Sequence, residues 1–463
     1  MSAIKSLFLA IWTRVLVFGA GIAAFIRLIG IAVASLIGVG GTIKSRLLAR
    51  LTSSDGQRVA FDFARAFVPN LAIRRKFIAA YDNNGTALVT RFDDVRDVLR
   101  RDQDFEVVYG PRMMQITAGQ NFFLGMQDTP DYTRDVSNMR LAVRRDDLPS
   151  IVKPFAARRA AELVAASPGR IDVPQDLTLR VPAQLLGIYF GTPGPSEREM
   201  IAWTTVMFWY LFIDLAADPA LGARALDAAA QCRAYLDAVL RDRKANPTDR
   251  DDVLNRCLAM QRAGLPGMDD LGIRNNLIGL IIGAVPTTSK AAVQALDQLL
   301  DRPDALAGAR RVAQTGDDAL LARHVFEALR FNPVNPVIYR RATRDAVVAP
   351  NSLRATKVPR SSMVLAANLS AMFDRLRIDD PNSFRVDRPW DNYILWGDGL
   401  HTCFGAHINQ VLIPAILKPL LQQEGDYGAP PAQPARSMPR GPRSRCICGL
   451  SSRRHERATL PSP

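Results

Sequence analysis

The chain has 463 residues, 48% of them hydrophobic and 22% charged, with five cysteines and a formal net charge of +14. That length suits one large domain or a few ordinary ones, and the composition excludes an intrinsically disordered chain. So few cysteines exclude a disulfide framework and point to reduced thiols and a cytosolic catalytic part. The positive charge invites a nucleic-acid reading, but there is no basic stripe interleaved with aromatics and no zinc-finger or RNP-type pattern. Much of the excess sits at the two ends of the chain, so no nucleic-acid partner is expected.

Residues 1–51 read as a hydrophobic membrane anchor. Between Val15 and Gly41 the only charged residue is Arg27. Fourteen Leu, Ile, Val and Phe residues in that stretch favour insertion by about 4–8 kcal/mol, against about 3 kcal/mol for one central arginine. The stretch (15–41) is long enough to span a bilayer and too long for a cleaved signal peptide; a segment lying in the membrane interface is the other option. Lys44, Arg46 and Arg50 follow directly and would keep the remainder cytoplasmic, giving a membrane-associated protein with a cytoplasmic catalytic domain.

A polar stretch, TSSDGQR (52–58), reads as a linker. Beyond it, 59–423 reads as one large domain, mainly α with minor β. TALVT (86–90) alternates after the turn signal DNNG and predicts a strand. FDDVRDVLR (92–100), 151–166 and 220–243 carry helical spacing. MIAWTTVMFWYLFIDLA (200–216) is apolar all round and predicts a buried helix or a lid over an apolar pocket. The longest helical pattern runs from Asp269 to Leu300, about 48 Å at helical rise. Short strands are predicted at 337–341 and 362–366. The tail 424–463 is rich in Pro, Arg and Ser without strand pattern, and is expected to be disordered. Its Cys446 and Cys448 form a lone Cys-x-Cys with only His455 nearby, which does not make a metal site.

The stretch WGDGLHTCFG (396–405) sets Cys403 in a glycine-punctuated turn just before a helical run, Ala406 to Leu421. Gly399 and Gly405 allow close backbone approach to something flat and large. A cysteine ahead of a helix has its thiolate favoured by free N–H groups and the helix dipole, which makes a soft ligand for iron. From the turn alone, a buried inert cysteine is an equal reading.

The turn resembles the haem-binding loop of cytochrome P-450 enzymes, Phe-Gly-x-Gly-x-His/Arg-x-Cys-x-Gly, here Trp396-Gly397-x-Gly399-x-His401-x-Cys403-x-Gly405. Upstream, Glu327 and Arg330 match that family's Glu-x-x-Arg, a spacing that by itself reads as a solvated helix pair. YRRATRDA resembles the Arg-x-Ala-x-x-Asp segment and supplies Arg340; AANLSAMFD and FRVDRP (384–389) resemble the segments before the cysteine loop. The resemblance implies the cytochrome P-450 fold, a single large haem-binding domain, with haem b held by Cys403 as axial thiolate. It implies His401 and Arg340 as propionate partners, with Gly397, Phe404 and Gly405 around the ring. Tyr132 stands where many bacterial relatives carry a histidine; it and Arg134 are further candidates for a propionate. Glu327 and Arg330 would be structural supports.

The family's oxygen-activating stretch, Ala/Gly-Gly-x-Asp/Glu-Thr-Thr, stands here as Gly283-Ala284-Val285-Pro286-Thr287-Thr288. Thr287 and Thr288 supply alcohols, but Pro286 replaces the acid. Proline frees the Ile282 carbonyl and predicts a local kink. The resemblance implies insertion of one oxygen atom from O2 into a hydrophobic small molecule, lipid-like among the options, with electrons from a separate ferredoxin or flavin reductase. The missing acid keeps two alternatives open: a hydroperoxide isomerase or peroxygenase, and a non-catalytic or decayed haem-binding protein. Phe122, Phe123, Ile282, Val334 and Val337 are the candidate pocket residues.

Overall fold

The structure is a computed structural model and describes residues 2–38, 41–167 and 169–423. The tail 424–463, with Cys446, Cys448 and His455, lies outside the described residues.

The apolar N-terminal segment forms one helix, Ser2–Ile37, long and apolar enough to cross a membrane by length and composition. It does not stand apart from the rest. Phe18 meets Phe67 at 5.5 Å between ring centroids, and Phe25 meets Phe63 at 5.9 Å, so it runs antiparallel along the helix Ser54–Phe67. The expected linker 52–58 is therefore a two-residue junction, Thr52 and Ser53, followed by the start of that helix. Its polar residues serve as a cap: the Ser53 hydroxyl accepts from the Gly56 N–H at 3.1 Å. The helix is fastened inward by Arg65, which donates to the Ser370 carbonyl at 2.8 Å, and by Arg58, whose guanidinium lies 4.5 Å from the Phe373 ring.

Among the described residues seven short strands follow in chain order: β1 (Asn70–Ile73), β2 (Gly85–Val89), β3 (Phe105–Glu106), β4 (Ile338–Ala342), β5 (Ala346–Val348), β6 (Thr356–Val358) and β7 (Ser362–Ala366). One sheet has the order β1-β2-β7-β4-β3, in which β2 and β7 pair parallel and the other neighbours pair antiparallel. β5 and β6 form a separate hairpin. The remainder is a helical layer around one buried helix, Asp270–Leu300, whose helical span is unbroken through Pro286. The stretch 200–216 becomes a helix, Glu197–Phe208, ending in a wider turn at Trp209–Ile213. Arg112 holds that turn down, donating to the Asp214 carbonyl at 3.1 Å and pairing with its carboxylate at 3.0 Å.

The buried end of the helix Asp318–Phe331 positions the segment that leads to Cys403. Glu327 and Arg330 are fully buried and pair at 2.8 Å. Glu327 also accepts from the Arg385 N–H at 3.0 Å, Arg388 Nε at 3.1 Å and the Tyr393 hydroxyl at 3.0 Å, while Arg330 Nη1 donates to the Met372 carbonyl at 3.1 Å. The isolated surface pair suggested by the spacing is thus the centre of a buried network. Removing one partner from such a network strands the remaining charges, at a cost of about 3–5 kcal/mol. Glu327→Gln should lower the unfolding free energy from urea titration by a corresponding amount; a value within about 0.5 kcal/mol of the parent would show the network to be dispensable.

Candidate active site

Cys403 faces a cavity between the long buried helix, β4 and the turn 396–405. The turn is closed by its own backbone: the Cys403 N–H donates to the Trp396 carbonyl at 2.9 Å. Trp396 packs edge-on against Phe326 at 5.2 Å, next to the Glu327 network. Gly397 and Gly399 both have left-handed backbone, φ 80° and 77°. Gly399 has a second reason to be glycine, since a Cβ there would lie 2.5 Å from the Leu99 carbonyl oxygen. Asp398 between them pairs with Arg96 at 2.5 Å. Burial pushes the Cys403 thiol above its ordinary value, opposed by the N–H groups of Gly405 and Ala406. Those two amides are the donors that the sequence places there for a thiolate.

Across the cavity the long helix presents Gly279, Ile282, Gly283 and Thr287. Gly283 opens onto empty space, while Gly279 is covered by the Phe122 ring. The Thr287 hydroxyl donates to the Gly283 carbonyl. Thr288 departs from its expected place: it is buried on the neighbouring face and donates to Asn409 Oδ1 at 2.8 Å, tying the long helix to the helix after Cys403. Adjacent residues on a helix point about 100° apart, so both threonines do not share one face.

One end of the cavity is polar and unsatisfied. Arg340 is buried, with Nη1 donating to the Tyr339 carbonyl at 3.0 Å and Nε left without a partner among the described residues. Both ring nitrogens of His401 are also orphaned, as is Asp102 Oδ1, which lies 3.7 Å from His401 Nε2. Burial and the Arg340 charge hold the His401 imidazole down at about 4. Burial likewise raises the Asp102 carboxyl. Orphaned buried donors call for acceptors from elsewhere. A flat ligand carrying carboxylates would be held by Arg340 and His401, and its metal by Cys403. The residues present therefore fit a haem.

Of the other candidates, Phe122, Val334 and Val337 line the cavity. Phe123 is turned away, packed on Phe404 at 5.3 Å. Phe404 and Gly405 lie with Cys403 and Thr288 along a smaller adjoining space. Tyr132 does not extend its hydroxyl to an open carboxylate position: it donates to the Leu400 carbonyl at 2.7 Å and packs edge-on against His401 at 5.1 Å, so it acts as a brace behind that ring. Arg134 is committed to Asp131 at 2.7 Å and Asp135 at 2.8 Å, and lines a different, polar pocket. Sequence reasoning missed Asp102, Tyr109, Tyr339 and Asn335, which reach the site from a turn, a loop and a strand without any motif of their own.

The family model described as cytochrome P450 matches residues 85–423. The chain belongs to the cytochrome P450 family. Its P450 relatives include cyclomarin C epoxidase CymV of Salinispora arenicola, 28% identical over 55% of this chain and 62% of that protein. The steroid C26-monooxygenase of Mycolicibacterium smegmatis is 26% identical over 74% of this chain and 82% of that protein. Among solved structures, P450BioI in complex with an acyl carrier protein ligated to hexadec-9Z-enoic acid covers 88% of this chain and 98% of its own at a TM-score of 0.71 and 18% identity, a likeness of fold. The family brings haem with a cysteine thiolate and monooxygenase chemistry, and Cys403 lies within the matched residues.

Two outcomes follow for this P450. Gly399→Ala meets both the left-handed backbone cost, about 1–2 kcal/mol, and the Leu99 carbonyl, so it should lower the melting temperature and haem retention together. The second concerns pH. His401 takes its proton near 4 in the haem-free fold, but the unfolded chain takes it up near 6.5. The haem-free protein should therefore lose stability from this group as pH falls from about 6.5 towards 4. A propionate beside the ring favours the charged form and removes that loss. Urea midpoints across this range should fall more steeply without haem than with it, and His401→Asn should abolish the difference in slope.

Proposed function

We propose that this P450 inserts one oxygen atom from O2 into a hydrophobic small molecule, using electrons from a separate carrier protein. The observation that carries it is the placement of Cys403 and Thr287 on facing walls of one largely apolar cavity, with the Arg340 and His401 donors at its edge. Haem b, when bound by Cys403, supplies the activation of oxygen. The chain's own work is to hold the Cys403 sulfur with two backbone amides, to anchor the ring's carboxylates, and to exclude water with Phe122, Phe208, Leu211 and Phe212. The names of the epoxidase and steroid monooxygenase relatives support oxygen insertion at carbon, and the steroid relative supports an apolar substrate.

Proton delivery is where this chain departs. Pro286 carries neither a side-chain acid nor an N–H, and Thr287 already donates to Gly283. The remaining hydroxyl capacity of Thr287 is to accept, so it orders a donor such as water rather than supplying a proton from a neighbouring acid. This supports a second reading, use of a substrate that already contains an O–O bond, which needs no external electrons. For the electron-dependent reading, the exposed Arg140 and Arg145 guanidiniums stand beside His407 at the start of the helix after Cys403, a basic patch suited to an acidic electron carrier.

The helix Ser2–Ile37 supports membrane association, and its packing favours lying in the membrane plane over crossing it. From Phe18 onwards one side is held against Ser54–Phe67, which Arg65 and Arg58 fasten to the catalytic core. An upright crossing would draw that polar helix into hydrocarbon. The other side exposes Ile22, Ile26, Ile29 and Val33.

The test is isotopic. Purified protein with a surrogate ferredoxin, its reductase and NADPH under 18O2 should place one 18O atom in a product from a steroid or fatty-acid panel. Pro286→Asp should raise the yield of product per NADPH. Product formed only when a hydroperoxide is supplied, with none from 18O2, would instead establish the second reading.

A further inference from the structure

Behind the apolar helix lies an open groove of about 850 Å³, bounded by that helix, the short helix Ile43–Leu51 and the start of Ser54–Phe67. It is lined by three guanidiniums, Arg27, Arg46 and Arg50, against one carboxylate, Asp55. Arg27 is the sole charge in the stretch from Val15 to Gly41, and it lines this groove. Neither Arg27 nor the Arg50 side chain has a hydrogen-bond or ion-pair partner among the described residues. Arg46 is engaged: its Nε donates to the Ser35 carbonyl and its Nη1 to the Gly41 carbonyl, both at 2.8 Å, which fixes the end of the apolar helix. The groove is thus rigid at Arg46 and carries two uncommitted forks. Gly30 contributes open space to it, with nothing within 4 Å of where a Cβ would stand.

We propose that this groove binds the phosphate of an anionic phospholipid. The inference rests on the in-plane membrane reading. A helix lying in the membrane interface puts Ile26 and Ile29 at acyl depth and the groove on its flank at headgroup depth. An arginine within an apolar helix is retained where it meets a partner, and clustered basic side chains beside a membrane helix recognise lipid headgroups. Guanidiniums suit the phosphate because each presents parallel N–H donors to two oxygens. Continuity with the exposed apolar face favours a lipid phosphate over free phosphate.

Co-flotation of the haem-loaded full chain with vesicles tests this. Phosphatidylcholine vesicles are compared with phosphatidylcholine containing phosphatidylglycerol. The full chain should bind the anionic vesicles more tightly. Arg27→Gln and Arg27→Lys should both lose about fivefold or more on those vesicles, with binding to neutral vesicles unchanged. Lys44→Gln, outside the groove, should lose less than either. An intact haem spectrum in each variant shows that it is folded. Parent-like binding by Arg27→Lys, or an equal loss in Lys44→Gln, would reduce the effect to general charge attraction and overturn the site while leaving the membrane reading intact. No flotation with either vesicle would overturn the membrane reading itself, and the site with it.

Discussion

The buried carboxylate of Glu327 is the constraint on which the rest of the site depends. It gathers Arg330 from its own helix, Arg388 and the Arg385 amide from the following segment, and the Tyr393 hydroxyl from the approach to the cysteine turn. Two buried arginines and one carboxylate in a dry interior are tolerable only when nearly every donor is used, and Arg330 and Arg388 spend their remaining donors on backbone carbonyls. A polar network so fully satisfied admits little slack. It sets where residue 393 lies, hence where Trp396 packs, hence where the Trp396 carbonyl receives the Cys403 amide. The sulfur's position follows from a contact made nearly eighty residues earlier in the chain.

The second constraint is electrostatic incompleteness. The fold buries Arg340 Nε and both His401 ring nitrogens at the cavity edge without a hydrogen-bond partner among the described residues. Such groups are expensive in a finished protein interior. Here the deficiency is local and chemically coherent: donors at one end, a soft sulfur in the middle, an apolar vault above. A bound haem would offer its carboxylates to those donors and its iron to the sulfur. The same logic isolates Pro286, where the cavity lacks a group that the chemistry of oxygen activation uses, and makes proton supply the place where this P450 differs from its family's pattern.

Much of this was legible in the sequence because it is local. The turn 396–405 carries its glycines, histidine and cysteine within ten residues, and the long helix announces itself by period alone. Glu327 and Arg330 show their spacing but not their burial, because burial is set by segments 383–393 that come together only in the fold. Asp102 and Tyr132 illustrate the opposite failure. Asp102 sits in an ordinary charged turn and becomes part of the site through a neighbour 299 positions away. Tyr132 has the right position, but its hydroxyl is spent on the Leu400 carbonyl. The polar stretch 52–58 was misleading because capping residues and linker residues have the same composition, and only the apolar helix packed alongside decides between them.

The account turns on Cys403 being the iron ligand. The most direct measurement is the absorption spectrum of the purified, reduced protein under carbon monoxide, with Cys403→Ala measured beside it. The account predicts the red-shifted Soret band of thiolate ligation in the parent and its loss in the variant. The absence of haem from the parent, or an identical spectrum in the two proteins, would contradict it.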